Sequence, residues 1–451
     1  MKILPLMFGL IVLLISGCCS NKPFSDKYDT HAALVSEIQS GSIHTIRAME
    51  VDKKLNVYTA GNIFGTVKFG SETVSGPGHA GLLVKTNKDQ QYKWNIKFGT
   101  TTGTSVCFMS EVLLSSKDTL FVAGYTNGNL VIDGKEYFKS TAKFQSFVAK
   151  IDTNRGIKSC RQIVDAGDDF LIMDIMRWGS TGFLGVGILQ NNTTVLFSIS
   201  EAGNFKVIKK IDDQSQIYSS SLVKAGSDVY ISAIGTNFIH LYQFNHQLDS
   251  IWEFKQDTKA DLLAIKSHLV SDLRRGIWLA TTFGEGANDF MFGANIVKST
   301  GLYDSYMAKF WNQKQVASIH IGGSGDQIVT GFFDVNKNYV SMALANSGDF
   351  IINKKTVSSQ KGLSIIDFDI RKLEKIDVTT FPLENKERDR MTNSGLFFGK
   401  EKKSNLFFGG YFIKGETQTT DPKLTIGSEY LVAKNSTFNS FLIRATCKKK
   451  L

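Results

Sequence analysis

The chain repeats one pattern of apolar and polar positions about seven times along its length. A short apolar strand ends in small residues, a loop follows, and a second apolar strand ends in Lys or another polar residue. NVYTAG (Asn56 to Gly61) leads to GLLVKTN (Gly81 to Asn87), and LFVAGY (Leu120 to Tyr125) leads to SFVAKID (Ser146 to Asp152). A unit of this kind cannot bury its own faces, so neighbouring units must stack on one another. The pattern therefore predicts a repeat protein.

Each repeat is predicted to contain four short strands, called A, B, C and D in chain order. In the first repeat they are Ile43 to Val51, Asn56 to Ala60, Gly81 to Lys85 and Tyr92 to Phe98. These segments are rich in Val, Ile, Phe and Tyr and are separated by Gly, Asn, Asp and Ser, as strands and turns are. Four antiparallel strands in each of about seven units predict an all-β fold, a single β-propeller.

The last repeat has no strand D of its own. Phe441 to Arg444 aligns with strand C, and only Ala445 to Leu451 follows. At the other end, Ala33 to Ser40 precedes the first strand A and aligns with strand D of the other repeats. We expect this segment to pair antiparallel with the strand that ends near Arg444. Such closure hides sheet edges that an open array would expose.

The repeats resemble the bacterial β-propeller repeat family sometimes called SBBP, whose units run as a NVYVTG-like strand, an FG-containing hairpin, an FVAKLD-like strand and an FGG-like strand. The matching segments are NVYTAG, VKFG, LLVKTN and WNIKFG in the first repeat, LFVAG and FVAKID in the second, and FMFG, YMAKFW and IHIGGSGD in the fifth. The resemblance implies that a propeller covers nearly the whole mature chain.

The N-terminus has the features of a targeting segment. Lys2 supplies a positive charge, and Ile3 to Ile15 is an apolar run too short to span a membrane stably. The run ends in Ile15-Ser16-Gly17-Cys18, which resembles the lipobox of bacterial lipoproteins. The resemblance implies cleavage before Cys18 and acylation of that cysteine, with palmitate as one of the chains. An ordinary signal peptide followed by an accidental cysteine is the alternative.

These features predict a signal peptide over residues 1–17, a polar tether over 18–30 and the propeller over 31–451. Cys19 stands where enterobacterial lipoproteins retained in the inner membrane carry Asp. The predicted location is therefore the cell envelope and, for a Gram-negative source, a lipid anchor in the outer membrane.

The composition is that of a packed globular protein, with 42% hydrophobic and 21% charged residues. The formal net charge is +10, which raises the question of an acidic partner. Lys and Arg are nevertheless scattered through every repeat, with tight clusters only at Lys400, Lys402 and Lys403 and at Lys448 to Lys450. We therefore expect a solvated basic surface and no nucleic-acid partner.

The cysteines do not predict a disulfide framework. Cys107 aligns with strand A and Cys160 with strand D of one repeat. Three strand spacings separate those strands by roughly 14 Å, which is beyond the reach of a disulfide.

No residue pattern predicts a metal, a cofactor or a catalytic centre. None of the seven histidines shows H-E-x-x-H or H-x-H spacing, and no nucleophile elbow or P-loop is present. An Asp recurs just before strand A, where it could bind calcium but is more simply explained as a cap of the turn. These residues are Asp168, Asp169, Asp213, Asp261, Asp326 and Asp389.

Aromatic residues in the long insertions between strands B and C are the candidate binding residues. In a propeller these insertions would emerge on one face, and aromatic residues on loops are typical of recognition surfaces. The alternative is that each aromatic ring packs its own insertion onto its blade. The candidates are Phe64, Phe69, Phe283, Phe290, Phe292 and Tyr303.

The sequence thus predicts a monomeric, non-catalytic, lipid-anchored propeller that binds an unidentified protein or glycan. Two alternatives stay open. One is a propeller-class enzyme, such as a polysaccharide lyase, a hydrolase or a quinoprotein, although the five Trp residues do not occupy the equivalent positions that a quinoprotein would need. The other is a scaffold for envelope assembly, by analogy of fold alone.

If Cys18 carries the lipid, Cys18→Ser should block processing and abolish incorporation of labelled palmitate, because the acyl chains are attached to that residue. Metabolic labelling followed by immunoprecipitation measures this. Cys19→Ser is the matched control and should label normally. Undiminished labelling of the Cys18 variant would refute the assignment.

Overall fold

The computed structural model describes most of the chain from Tyr28 to Cys447. The described residues are 28–34, 37–38, 42–100, 106–116, 118–139, 143–163, 169–179, 182–189, 193–212, 217–259, 262, 268–272, 274–284, 289–336, 339–373, 376–384, 395–402, 405–413, 423–426, 429–432 and 438–447. The predicted signal peptide, Cys18 and most of the tether lie outside them. Within them all regular structure is β, and no helix that could cross a membrane is found there.

The strands follow one another as antiparallel four-stranded meanders, in which strands A to D pair in sequence. The first meanders are β3 (Ile43–Val51), β4 (Val57–Phe69), β5 (Glu72–Thr86) and β6 (Tyr92–Thr100); β7 (Cys107–Ser116), β8 (Thr119–Thr126), β11 (Gln145–Asp152) and β12 (Ile157–Gln162); β13 (Phe170–Trp178), β14 (Gly182–Leu189), β15 (Thr193–Ser200) and β16 (Phe205–Asp212). The next are β17 (Ile217–Ala225), β18 (Asp228–Gly235), β19 (Phe238–Phe244) and β20 (Ser250–Asp257); β21 (His268–Ser271), β22 (Ile277–Gly284), β25 (Tyr303–Trp311) and β26 (Lys314–Gly323); β27 (Gln327–Asn336), β28 (Tyr339–Asn346), β31 (Gly362–Asp369) and β32 (Ile376–Glu384). The last consists of β33 (Gly395–Lys402), β34 (Asn405–Ile413), β37 (Phe438–Cys447) and β1 (Tyr28–Leu34).

Burial explains why these segments form these strands. The central strands are covered on both faces, so β22 and β28 are buried throughout and read as continuous apolar runs. The outer strand β20 alternates, with Trp252 and Phe254 facing inward and Glu253 and Lys255 facing solvent. The hydrophobic core lies between neighbouring sheets rather than within any one of them.

Short hairpins inserted between strands B and C lie along the outer strand of the preceding meander. β9 (Leu130–Ile132) and β10 (Lys135–Phe138) extend the sheet at β6, β29 (Phe350–Ile352) and β30 (Lys355–Val357) extend it at β26, and β35 (Lys423–Ile426) and β36 (Glu429–Val432) extend it at β32. The hairpin of β23 (Phe290–Phe292) and β24 (Asn295–Val297) touches the preceding meander through Met291, whose N–H donates to the carbonyl of Thr258 at 2.9 Å.

The first and last strands of the chain close the ring of sheets, as predicted, but with different residues. β1 pairs antiparallel with β37 from Tyr28 opposite Cys447 to Leu34 opposite Phe441. The predicted segment Ala33 to Ser40 is therefore wrong by several residues, because β37 runs on to Cys447 and needs a partner along its whole length. The last three residues assigned to the tether lie in β1, and β2 (Glu37–Ile38) pairs with β4 instead.

The first and last meanders also share one hydrophobic cluster, which includes Ile46, Phe407 and Leu442. The chain therefore has an all-β propeller fold. The expected number of about seven blades is not confirmed by the sheets alone, because inserted hairpins extend three of them to six strands and β2 adds a seventh to the first. Cys107 and Cys160 are both free thiols, as expected from their strand positions.

A pair of side chains on strand C fastens each of several meanders to the next. The sequences SFVAK, SYMAK and SFLIR place Ser and a cation four residues apart, on one face of the strand. Ser146, Ser305 and Ser440 are fully buried. Their hydroxyls donate to strand A of the following meander, at Phe170 O (2.7 Å), Gln327 O (2.5 Å) and His44 O (2.6 Å) respectively.

The cation at the other end of the pair reaches the turn between strands C and D of the same neighbour. Lys150 donates to Glu201 O at 2.6 Å, Lys309 to Ile370 O at 3.4 Å, and Arg444 to Lys88 O at 2.8 Å. Lys85 makes the equivalent bond to Thr153 O at 2.8 Å. The ammonium groups of Lys150 and Lys309 also lie over the rings of Phe121 (5.4 Å) and Trp278 (4.7 Å). We call each Ser and cation pair an inter-sheet clamp.

Ser146→Ala should lower the free energy of unfolding by about 1–3 kcal/mol, because it leaves buried backbone groups of Phe170 and Ile172 without their partner. Denaturant unfolding measures the change. The exposed Ser324→Ala is the matched control and should change stability by less than about 0.5 kcal/mol. Equal stability of the two variants would show that the clamp contributes nothing.

Candidate binding surface

Four of the six aromatic residues expected on a binding face are buried. Phe69, Phe283, Phe290 and Phe292 are at most 1% exposed, so they cannot contact a partner in this structure. Tyr303 is partly buried against the cluster between the last two meanders. Of the six, Phe64 alone is clearly exposed, at 39%.

The physical reason is that the inserted hairpins fold back onto the sheets instead of rising from the face. Phe283 stacks on Phe290 with ring centroids 4.4 Å apart, and Phe290 lies 5.0 Å from Tyr306. Phe292 packs against Phe254 of the preceding outer strand at 5.3 Å. These rings attach the hairpin to two neighbouring sheets, which is the alternative interpretation that the sequence left open.

Phe64 belongs to a continuous run of partly exposed rings at the end of the first two meanders where the B-to-C insertions begin. His79 lies 5.1 Å from Phe64 and stacks on Phe108 at 5.8 Å with an interplanar angle of 24°. Phe108 then contacts Tyr125 at 5.4 Å, and Tyr125 contacts Phe144 at 6.1 Å. We call these five residues the aromatic ladder.

Strand geometry holds the ladder in place. Phe108 and Tyr125 are cross-strand partners at the loop ends of β7 and β8. Phe144 precedes β11 and is positioned by its N–H, which donates to the Asp169 carboxylate at 2.6 Å. The guanidinium of Arg47 lies 5.6 Å from the centre of the Phe108 ring. Burial raises the pKa of Tyr125, so its phenol stays a neutral hydrogen-bonding group, while the Arg47 charge acts in the opposite direction.

Sequence reasoning identified one end of the ladder and missed its middle. Phe108 and Tyr125 lie in predicted strands, where aromatic residues are expected in the core. Their position in the strands could have indicated partial exposure. Tyr125 follows the small residues that end strand B, and Phe108 lies near the start of strand A. Both positions lie at the loop end of the sheet, where a side chain emerges from the core.

A second cluster of polar residues lies at the same end of the β21–β26 sheet. His320 Nε2 is 2.8 Å from Asp304 Oδ2, and the Asp304 side chain is fully buried. That oxygen also accepts from the N–H of Thr300 at 2.9 Å. Among the described residues Asp304 Oδ1 has no hydrogen-bond partner. The His320 ring lies 5.9 Å from Phe283 and is partly exposed.

Two of the Asp residues predicted to cap turns before strand A, Asp169 and Asp326, are among the described residues. Asp169 holds the Phe144 backbone as described, and Asp326 is buried, its N–H donating to Ser347 Oγ at 3.2 Å. Asp168, Asp213, Asp261 and Asp389 lie outside the described residues. Within the described part of the chain no group of three His, Cys, Asp or Glu side chains is arranged to hold a metal ion.

A cavity of about 400 Å³ opens at the opposite end, between the A-to-B turns of the first two meanders. Its charged groups include Lys85, Asp118 and Arg177. Lys85 is committed to Thr153 O, and Arg177 forms an ion pair with Glu201 at 3.4 Å. The cavity is therefore largely a by-product of how neighbouring sheets are joined.

No known family model matches the chain, and no curated protein matches it. Similar solved structures include virginiamycin B lyase from Staphylococcus aureus, with 7% identity, a TM-score of 0.46 and coverage of 92% of this chain and 99% of that one. The Dos1 propeller has 10% identity, a TM-score of 0.45 and coverage of 90% and 93%. The β-propeller domain of the trilobed protease from Pyrococcus furiosus has 10% identity, a TM-score of 0.38 and coverage of 73% and 86%. Likenesses this distant do not bear on function.

The buried ring of Phe290 and the exposed ring of Phe64 should contribute differently to the free energy of unfolding. Phe290→Ala should lower the free energy of unfolding by about 3–5 kcal/mol, because it leaves a cavity between two sheets. Phe64→Ala should change it by less than about 1 kcal/mol, because the ring is already partly in water. Denaturant unfolding of both variants measures this, and equal losses would contradict the assignment of Phe64 to a surface.

Proposed function

We propose that the protein is a lipid-anchored, non-catalytic β-propeller of the cell envelope that binds a glycan or protein partner across the aromatic ladder. The anchor is acylated Cys18 in the outer membrane. The observation that carries the binding role is the ladder itself, a continuous run of five rings that the fold leaves partly exposed. Large apolar rings left at a surface are typical of recognition sites.

The ladder favours a glycan over a protein. The negative face of an aromatic ring attracts the C–H groups that line one face of a sugar ring. Successive ring centroids lie between 5.1 and 6.1 Å apart, so the partly exposed parts of the five rings form one continuous apolar strip along which sugar C–H groups can pack. Arg47 and the imidazole of His79 supply hydrogen-bond donors beside that surface. A protein partner remains the other occupant of the same site.

The propeller in this proposal has seven blades, each of them one four-stranded meander. Neighbouring meanders share one hydrophobic cluster each, and the last cluster joins β37 back to β3. The inserted hairpins are extensions of blades and are not counted as blades.

The test is binding of purified, unlipidated mature protein to an array of bacterial cell-surface glycans, with hits measured by calorimetry. We expect Phe64→Ala and His79→Ala each to weaken binding at least about tenfold, which corresponds to the loss of one stacked ring. Trp311→Ala is the matched control. Trp311 is 37% exposed, like Phe64, but it is the last residue of β25 and lies at the end of the sheet away from the ladder. Undiminished binding in the ladder variants would refute the site.

A propeller-class enzyme, such as a polysaccharide lyase or hydrolase, is the second candidate, and the His320–Asp304 pair favours it. The buried carboxylate of Asp304 lies within hydrogen-bond distance of the imidazole and orients it, as a general base requires. If the bound glycan is cleaved, and His320→Gln abolishes cleavage but not binding, this second function replaces the first. An envelope-assembly scaffold would instead show a stoichiometric protein partner whose capture does not depend on the ladder.

A further inference from the structure

The chain enters the propeller at the face opposite the aromatic ladder. β1 runs from Tyr28, opposite Cys447, to Leu34, opposite Phe441. Thr446, the residue before Cys447, pairs with Asn405, which is the first residue of β34 (strand B of the last meander). The C-terminal end of β37 therefore lies at the same end of the sheet as the A-to-B turns. The C-to-D turns of the other meanders lie at this end too. We call this end of the propeller the turn face.

The polypeptide between Cys18 and Tyr28 is short. About ten peptide units can span at most about 35 Å when fully extended. If Cys18 is acylated, as the proposed function holds, the turn face is the part of the propeller that the tether keeps nearest to the lipid surface.

Turn chemistry makes this face basic. In the turn after β3, the buried Asp52 accepts from the N–H groups of Lys54 (2.7 Å) and Asn56 (2.9 Å). In the turn after β21, the buried Asp272 accepts from Arg274 (2.9 Å) and Gly276 (2.8 Å) in the same way. Each carboxylate is thus directed into the protein, while the cationic side chains of the same turn point to solvent.

In the turns that the structure describes, the exposed cations of the turn face outnumber the exposed carboxylates. The exposed cations in the described turns include Lys53, Lys54, Lys88, Arg274, Arg275, Arg371 and Lys372. The carboxylates include Asp89, Asp118, Asp249 and the less exposed Glu201. On the ladder face the charges are mixed, as in the ion pair between Lys298 and Asp289 at 3.7 Å.

We infer that the turn face docks on anionic phospholipid headgroups, so that the lipid anchor and the basic turns bind the same membrane. Basic residues near an anionic surface each contribute to attraction within about a Debye length. An acyl anchor combined with a basic patch binds more firmly than either one alone. Docking in this orientation holds the aromatic ladder away from the membrane, where a partner can reach it.

The test is co-sedimentation of the unlipidated mature protein with vesicles of phosphatidylcholine and phosphatidylglycerol. Partitioning should be absent on phosphatidylcholine alone and should fall as salt is added. Lys53→Glu combined with Lys54→Glu, and Arg274→Glu combined with Arg275→Glu, should each weaken partitioning at least about tenfold. Unchanged thermal transitions confirm that these variants fold.

The matched control is Lys354→Glu combined with Lys355→Glu, which makes the same change in net charge on exposed residues of the β29–β30 turn, away from the turn face. This variant should retain partitioning within about twofold. Equal losses in the control and turn-face variants would show that only net charge matters, and the inference would be wrong. Palmitate labelling and glycan binding are measured separately, so failure of docking would leave the proposed function standing.

Discussion

The whole structure depends on fastening separate sheets to one another around a ring. Each sheet has hydrogen bonds within itself, but between sheets the main attraction is burial of apolar side chains, which has no direction. At the joins between meanders that have them, the inter-sheet clamps supply the direction. Ser near one end of strand C and a cation near the other fix both the distance and the angle of the next sheet, and Arg444 and Ser440 apply the same device where the last sheet meets the first.

The clamp also explains why strand C has the sequence it has. Between Ser and the cation stand an aromatic residue and two further apolar residues, as in SFVAK, SYMAK and SFLIR. Successive side chains point to opposite faces of the strand, so the motif combines contacts to both neighbouring sheets. The aromatic residue opposite the cation, Phe121 or Trp278, keeps the ammonium group partly out of water while the backbone carbonyl satisfies it. This arrangement lets a charged side chain be partly buried at a join while its ammonium group keeps a hydrogen-bond acceptor and, for Lys309, an ion pair with Asp272 at 3.1 Å.

The repeating strands were predictable because central strands are apolar on both faces and turns are marked by Gly, Asn and Asp. Strand A of the first repeat agrees with β3, and Cys107 and Cys160 lie on strands A and D, the two edge strands of one sheet, as predicted. The register of the closing strand was not predictable, since it depends on where β37 ends. The candidate face was mostly wrong because a pattern of aromatic residues does not reveal whether a hairpin stands free or pairs with an unoccupied sheet edge. Phe64 and Phe290 look alike in sequence and differ only in what lies beside them.

The meeting of β1 and β37 sets the order in which the molecule can be completed. Ser440 and His44 are 396 residues apart along the chain, and the clamp that joins them cannot form until nearly every residue has left the ribosome. Contacts this distant form late and slowly, because a large loop must close before they stabilise anything. Until then the first strand has no partner and the first sheet has an unprotected edge. Closure of the ring is therefore expected to be the last step of folding, after the sequential meanders have formed.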